Sequence, residues 1–133
     1  MAAFHVELVS PERVLLSGEA TMVRARTTGG GDIAFLPGHA PFLGALETWT
    51  LEVTMDDGTV ETAAVHGGFV SVAGDHVTIL SDLAELESQI DAARAQRAQE
   101  RAEEAVRRDG DDEATAALER ATARLRATGQ LTS

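Results

Sequence analysis

The chain has 133 residues, 44% of them hydrophobic, and a formal net charge of −11. A chain of this length supports one modest hydrophobic core with an extension, and so large an acidic excess disfavours general nucleic-acid binding. The sequence contains no cysteine, which excludes disulfides and thiolate chemistry.

Membrane and export signals are absent from the sequence. No apolar run approaches the roughly 20 residues that a membrane-spanning helix needs. Residues 1–10 contain neither the basic segment nor the apolar stretch of a secretory signal. We therefore expect a protein without its own transmembrane segment that stays in the cytoplasm, or on the cytoplasmic side of a larger assembly.

Short β-strands separated by turns are predicted for residues 1–84. Apolar and polar residues alternate in 4–8, as in a half-buried strand. The segment Asp56-Asp57-Gly58 is a strong hairpin signal, because an Asp-Gly pair tolerates positive φ. The other predicted strands are 13–17, 21–27, 32–36, 48–55, 59–66, 69–72 and 76–80. Eight to ten short strands at this spacing predict an antiparallel sandwich or flattened barrel.

Residues 85–133 have the periodicity of helix. Apolar residues at three- and four-residue steps, among them Leu86, Ile90 and Ala93, predict a helix over 86–108. The segment 109–112 contains Gly110 and three aspartates, which end one helix and cap the next. A second helix is predicted over 113–127. The sequence thus predicts a β domain, 1–84, followed by an antiparallel α-helical hairpin, 85–133.

Both helices carry apolar stripes that consist mostly of alanine. These residues are Ala95, Ala98, Ala102 and Ala105 in the first helix, and Ala114, Leu118, Ala121 and Leu125 in the second. A buried methyl group contributes only about 0.8 kcal/mol, whereas alanine has the highest helix propensity. We therefore expect stable helices that hold each other weakly, so that the hairpin can open without losing helix.

The histidines and glycines do not indicate a catalytic site. His39 lies in a proline-stiffened loop without a nucleophile nearby, and His5, His66 and His76 lack the spacing of metal ligands. The pair Gly67-Gly68 precedes a core strand and is not part of a Walker-type phosphate loop. We therefore expect no catalytic residues and no metal.

Charged side chains on the predicted helices form two clusters. Asp91, Arg94 and Arg101 fall on one face of the first helix. Arg120 and Arg124 share a face of the second helix. From spacing alone, a solvated face with intrahelical ion pairs is the simpler interpretation.

Three segments together resemble the epsilon subunit family of bacterial F-type ATP synthases. They are Gly31-Asp32-Ile33-Ala34-Phe35-Leu36-Pro37-Gly38-His39-Ala40-Pro41-Phe42-Leu43, the glycine-led 67–72 with 77–80, and Asp91-Ala92-Ala93-Arg94-Ala95. The match extends over most of the chain. The resemblance implies a ten-stranded β-sandwich followed by two helices. It also implies a non-catalytic subunit of the central stalk, or rotor, that couples proton translocation to ATP synthesis.

The same resemblance implies partners and a location. The gamma subunit and the ring of c subunits are the implied partners, at the cytoplasmic face of the bacterial plasma membrane. The implied contact residues are Leu36, Pro37, Gly38, His39, Ala40, Pro41 and Phe42. In this family the helices either fold against the sandwich or extend along gamma into the alpha/beta catalytic head and block ATP hydrolysis. Candidate contacts with acidic beta-subunit segments in the extended form are Arg120, Arg124 and Arg126.

A regulatory ATP site is also implied, although no cofactor is required. Some family members bind ATP in the folded hairpin through an Ile/Leu-Asp-x-x-Arg-Ala element, which Ile90-Asp91-Ala92-Ala93-Arg94-Ala95 matches. The implied ATP-binding residues are Glu85, Asp91, Arg94, Arg101, Arg120 and Arg124. Arginines form charge-assisted bonds with phosphates, so this set has suitable chemistry.

Two other interpretations remain open from sequence. One is a free-standing β-sandwich adaptor with a helical protein-interaction tail, although the tail lacks a long leucine heptad. The other is an enzyme that uses His39 with an acidic residue such as Asp32, although no nucleophile or metal set accompanies them.

Overall fold

Residues 2–129 are described by the structure, a computed structural model. Within this range seven strands are followed by two helices. The strands are β1 (Phe4–Val9), β2 (Val14–Thr27), β3 (Gly31–Phe35), β4 (Phe42–Met55), β5 (Val60–Ala73), β6 (His76–Leu80) and β7 (Ala84–Leu86). A 3₁₀ turn, Glu87–Gln89, leads to the helices α1 (Ala92–Arg108) and α2 (Asp112–Ala127).

The sheet closes on itself because β1 pairs with both β2 and β6. The strand order is β1-β6-β5-β4-β2-β3, and β7 is added beside β5. Every pairing is antiparallel except that of β1 with β6, which is parallel. The predicted sandwich or flattened barrel is confirmed, with this one departure from a fully antiparallel sheet.

A hydrophobic core fills the space inside the closed sheet. In β1, Phe4, Val6 and Leu8 are buried while the intervening residues are only half-buried, as strand alternation predicts. Phe35 and Ile79 are fully buried and belong to the same core. Full burial of such side chains stabilises the fold by roughly 1.5–3 kcal/mol each.

Three strands are longer than the sequence analysis predicted. β2, β4 and β5 each contain 14 residues. β2 joins the strands predicted at 13–17 and 21–27, and β5 joins those predicted at 59–66 and 69–72. Both strands continue across the predicted breaks because they remain hydrogen-bonded to their neighbours. The four strands predicted there are therefore two, and β7, which was not predicted as a strand, brings the observed number to seven against the eight to ten predicted.

Gly68 lies where β5 continues across one of the predicted breaks. Its φ is +120°, and a Cβ there would lie 2.0 Å from the carbonyl oxygen of Leu80. We expect Gly68→Ala to destabilise the sandwich by more than the roughly 1–3 kcal/mol of backbone strain alone, as measured by thermal unfolding. Gly29→Ala is the control, because Gly29 has a φ of +77° but no atom near its Cβ position. Equal losses in the two variants would show that the clash with Leu80 is unimportant.

The first helix begins later than predicted. The prediction began at Leu86, but Ala84–Leu86 pairs with β5 and a 3₁₀ turn follows, so α1 begins only at Ala92. The Asp91 carboxylate accepts the Arg94 N–H at 3.0 Å and caps the helix. Ala93, predicted on the apolar stripe, is exposed.

The second helix and the turn before it agree with the prediction. α2 begins one residue before the predicted start, and the Asp111 carboxylate accepts the Ala114 N–H at 2.8 Å. No helix within 2–129 is long and apolar enough to cross a membrane.

The helical hairpin is docked on the sheet through α2, which lies against β4 and β5 as well as α1. Ala123 and Ala127 pack on Ala64 of β5. The Thr50 hydroxyl donates to the Ala123 carbonyl at 3.3 Å, and the Thr62 hydroxyl donates to the Ala127 carbonyl at 3.0 Å. Small side chains and two neutral hydrogen bonds thus make up much of this interface.

Candidate functional site

Five of the six residues implied in ATP binding line one groove. This groove, of about 300 Å³, lies where β7, the start of α1 and the end of α2 meet. The five residues are Glu85, Asp91, Arg94, Arg101 and Arg124. Arg120 lines an adjoining groove of about 410 Å³ between the helices, and Arg101 and Arg124 line both. The fold thus brings the whole set close together.

Each of these side chains is positioned by a separate local feature. Glu85 is placed by β7, where it pairs with Ala64. Arg94 and Arg101 are seven residues apart on α1, which is two helical turns, so they project from the same side. Arg124 lies in the last turn of α2.

Glu85 connects the sheet with α2. Its Oε1 accepts a hydrogen bond from Arg124 Nε at 2.6 Å and lies 3.0 Å from His66 Nε2 on β5. The His66 side chain is only 4% exposed. The hydrogen bond with His66 lowers the pKa of Glu85 most strongly, burial opposes this change, and Arg124 lowers the pKa further. Glu85 therefore remains ionised between its two partners.

This bridge makes a pH-dependent contribution to docking. Because the folded-state pKa of Glu85 is lowered, its contribution is complete above the ordinary value of about 4.5 and is lost as the pH falls through the lowered value. We expect Glu85→Gln to reduce the loss of stability between neutral and acidic pH, as measured by thermal unfolding. Glu119→Gln, at an exposed position on α2, should leave that loss unchanged. Identical pH profiles for Glu85→Gln and the original chain would contradict this role.

Two arginines of the groove are free to meet an anion. Within residues 2–129, Arg94 and Arg101 form no ion pair, and both are exposed. By contrast, Arg124 is paired with Glu85, and Arg120 lies 2.9 Å from Glu113. A phosphate-bearing ligand would therefore contact Arg94 and Arg101 first.

The groove is suited to a polyanion that also carries hydrogen-bond donors. Its arginines supply charge-assisted bonds to phosphate oxygens. The carboxylates of Glu85 and Asp91 are acceptors for hydroxyl or amino groups, although one Asp91 oxygen already caps α1. In the described part of the chain no cluster of His, Asp and Glu is arranged to hold a metal ion.

The loop implied in partner contact lies between β3 and β4. Leu36 is 53% exposed, and Leu43, just after the loop, is 74% exposed. The His39 ring instead packs edge-on against Phe35, with ring centroids 5.0 Å apart. Asp32 is paired with Arg26 at 2.8 Å. His39 and Asp32 are thus engaged in separate structural contacts, which gives no support to the enzyme interpretation.

Two contacts near the site could not be predicted from the sequence, one within the sheet and one between the sheet and α2. One is the hydrogen bond between His66 and Glu85. The other is the packing of Arg126 on Trp49, whose ring centroid lies 4.2 Å from the guanidinium carbon. Both join residues far apart in the chain, and nothing in the local sequence indicates either of them.

Protein-family models match both the β domain and the helical hairpin of the chain. The family model described as "ATP synthase, Delta/Epsilon chain, beta-sandwich domain" matches residues 3–87. The family model described as "ATP synthase, Delta/Epsilon chain, long alpha-helix domain" matches residues 88–129. The two matches follow the observed order of sheet and helices.

Individual relatives are similar over most of their length. An "ATP synthase epsilon chain" from Streptomyces avermitilis is 50% identical over 126 residues, which cover 95% of each chain. Another, from Rhodococcus jostii, is 50% identical over 96 residues, covering 71% of this chain and 78% of the relative. Among solved structures, a chain of the Euglena gracilis mitochondrial ATP synthase OSCP/F1/c-ring assembly superposes with a TM-score of 0.82 at 25% identity. That superposition covers 96% of this chain and 81% of the other.

Proposed function

Since this chain belongs to the epsilon family of ATP synthases, we propose that it is a non-catalytic central-stalk subunit that helps couple proton translocation to ATP synthesis. Its partners are the gamma subunit and the c-ring, and it lies peripherally at the cytoplasmic face of the membrane. The similarity to a chain of an F1/c-ring assembly supports this position. Leu36 and the exposed residues around it are the proposed contact surface.

We further propose that the helical hairpin regulates ATP hydrolysis by leaving the sandwich and extending into the alpha/beta head. Each helix has its own capping aspartate, Asp91 or Asp111, and so keeps its structure apart from the sheet. The interface of α2 with the sheet contains alanines, Ala64 and Ala123 among them, which give little burial energy. Both properties support a hairpin that can be released intact.

ATP is the proposed ligand that favours the docked form. The observation that carries this proposal is the groove in which the unpaired Arg94 and Arg101 of α1 face Arg124 of α2. A triphosphate bound there would connect the two helices and relieve the repulsion between their arginines. It would stabilise the docked hairpin by mass action, by about 2.7 kcal/mol at 100 times the dissociation constant.

Calorimetric titration of ATP into the full chain tests this proposal. We expect saturable binding, which Arg94→Ala and Arg101→Ala each weaken by about 10- to 150-fold, since a hydrogen bond to a charged group contributes roughly 1.5–3 kcal/mol. Arg97→Ala is the matched control, because Arg97 lies on the same helix and is exposed but does not line the groove. The absence of saturable heat at millimolar ATP would contradict the proposal.

A further inference from the structure

We propose that Trp49 on β4 holds the last turn of α2 on the sandwich through a cation–π contact with the Arg126 guanidinium. The guanidinium carbon of Arg126 lies 4.2 Å from the centroid of the indole ring. This distance is within the roughly 6 Å range of a cation–π interaction, and tryptophan is the strongest aromatic partner for a cation. Trp49 is the only tryptophan of the chain.

Arg126 has no better partner in the described part of the chain. Its Nε and Nη1 atoms are buried and make no hydrogen bond. The other arginines that line the same groove on the sheet are paired with carboxylates: Arg26 with Asp32 at 2.8 Å, and Arg24 with Glu52 at 3.6 Å. Two buried guanidinium nitrogens without hydrogen-bond partners are unfavourable, and the electron-rich ring face is the direct contact that compensates for them.

The Trp49 ring is itself contacted by a second arginine, Arg26 of β2. The Arg26 guanidinium carbon lies 3.4 Å from the Trp49 centroid. Two hydrogen bonds to Asp32, from Nε at 2.8 Å and Nη2 at 3.4 Å, fix this guanidinium group. The indole ring is therefore held in place by an ordered neighbour and offers α2 a defined surface.

The residues of α2 around Arg126 form a single docking face. Ala123, Arg126 and Ala127 follow the three- and four-residue spacing of one helical face. Both alanines pack on the sheet, and their carbonyl groups accept the two threonine hydrogen bonds. Arg126 is the large side chain of this face, so its contact with Trp49 contributes the specificity that alanine cannot provide.

The contact between Arg126 and Trp49 also positions a side chain of the neighbouring groove that Glu85 and Arg124 line. Arg124 is two residues before Arg126 in the same helical turn, and it reaches Glu85 at 2.6 Å. Holding this turn on Trp49 therefore keeps Arg124 at the groove. Trp49 acts here as a positioning residue, and the inference holds whether or not the groove binds ATP.

The test measures hairpin docking in the full-length chain by the distance between two spin labels. The sequence contains no cysteine, so Asp75→Cys and Arg108→Cys provide unique labelling sites on the sandwich and at the end of α1. Trp49→Leu should lower the ratio of docked to released hairpin by about 2- to 30-fold, the range expected for a cation–π contact. Arg126→Met should have a comparable effect, and the double variant should add little to either change.

Two controls separate the cation–π contact from simple packing. Trp49→Phe retains an aromatic face and should keep most of the docking, whereas Arg97→Met at an exposed position of α1 should keep all of it. Unchanged distances in Trp49→Leu, with the sandwich still folded, would overturn the inference. Unchanged or tighter docking in Arg126→Met would also overturn it, and this variant decides the question if Trp49→Leu does not fold.

Discussion

Removal of the helical hairpin should raise ATP hydrolysis by the assembled enzyme several-fold and leave assembly intact. The extended hairpin is the proposed block in the catalytic head, so a subunit without it cannot inhibit. The structure places the cut after Ile90, because Ala84–Leu86 is a strand of the sheet and must be kept. Deletion of 91–133 removes both helices and retains this strand. The measurements are steady-state ATP hydrolysis and co-purification with the gamma subunit.

A second truncation serves as a comparison for the first. Deletion of 85–133 also removes most of β7 and with it Glu85, the partner of His66. We expect this shorter chain to be less stable than the chain ending at Ile90, although it also lacks the inhibitory helices. Unchanged hydrolysis with the chain that ends at Ile90, in a fully assembled enzyme, would contradict an inhibitory role for the hairpin.

Forcing the hairpin off the sheet should have the opposite effect on hydrolysis. Ala64 is fully buried and faces Ala123 and Ala127 of α2 instead of the main core. A phenylalanine there overpacks the interface by about 1–3 kcal/mol, which shifts the hairpin toward release by about 5- to 150-fold. We therefore expect Ala64→Phe to lower ATP hydrolysis by the assembled enzyme well below that of the original subunit.

The control for Ala64→Phe is a substitution on the same strand, β5. Ala73 is exposed at the end of β5, so Ala73→Phe adds the same side chain without disturbing α2. It should leave hydrolysis unchanged. If Ala64→Phe released the hairpin and hydrolysis stayed the same or increased, release of the hairpin would not be the inhibitory event.

Features controlled by neighbouring residues could be predicted from the sequence. The turn at Asp57-Gly58 forms as expected, with Gly58 at a φ of +91°. The end of α1 and the start of α2 follow from Gly110 and the Asp111 cap for the same reason. Leu86 and Ile90 were wrongly assigned to helix because their spacing also suits a helix, whereas a three-residue strand such as β7 is too short to show alternation.

The candidate site could be predicted only in part. Arg94 and Arg101 lie on one helix, so their spacing alone brings them to one side. The contacts of Glu85 with His66 and of Trp49 with Arg126 depend on how α2 and β7 meet the sheet, and that arrangement is set by packing between distant segments. The continuity of β2 and β5 was missed for a similar reason, because pairing with neighbouring strands carries each of them across its glycines.

Regulation by the hairpin requires that it exchange between docked and released positions in the assembled enzyme. Fluorescence energy transfer between dyes on the sandwich at residue 75 and on α1 at residue 108 measures this exchange directly, with and without ATP. We predict two populations, with the docked one increasing as ATP is added and dominating when ATP is in excess. A single docked population, unchanged by ATP and by assembly with the other subunits, would contradict the account.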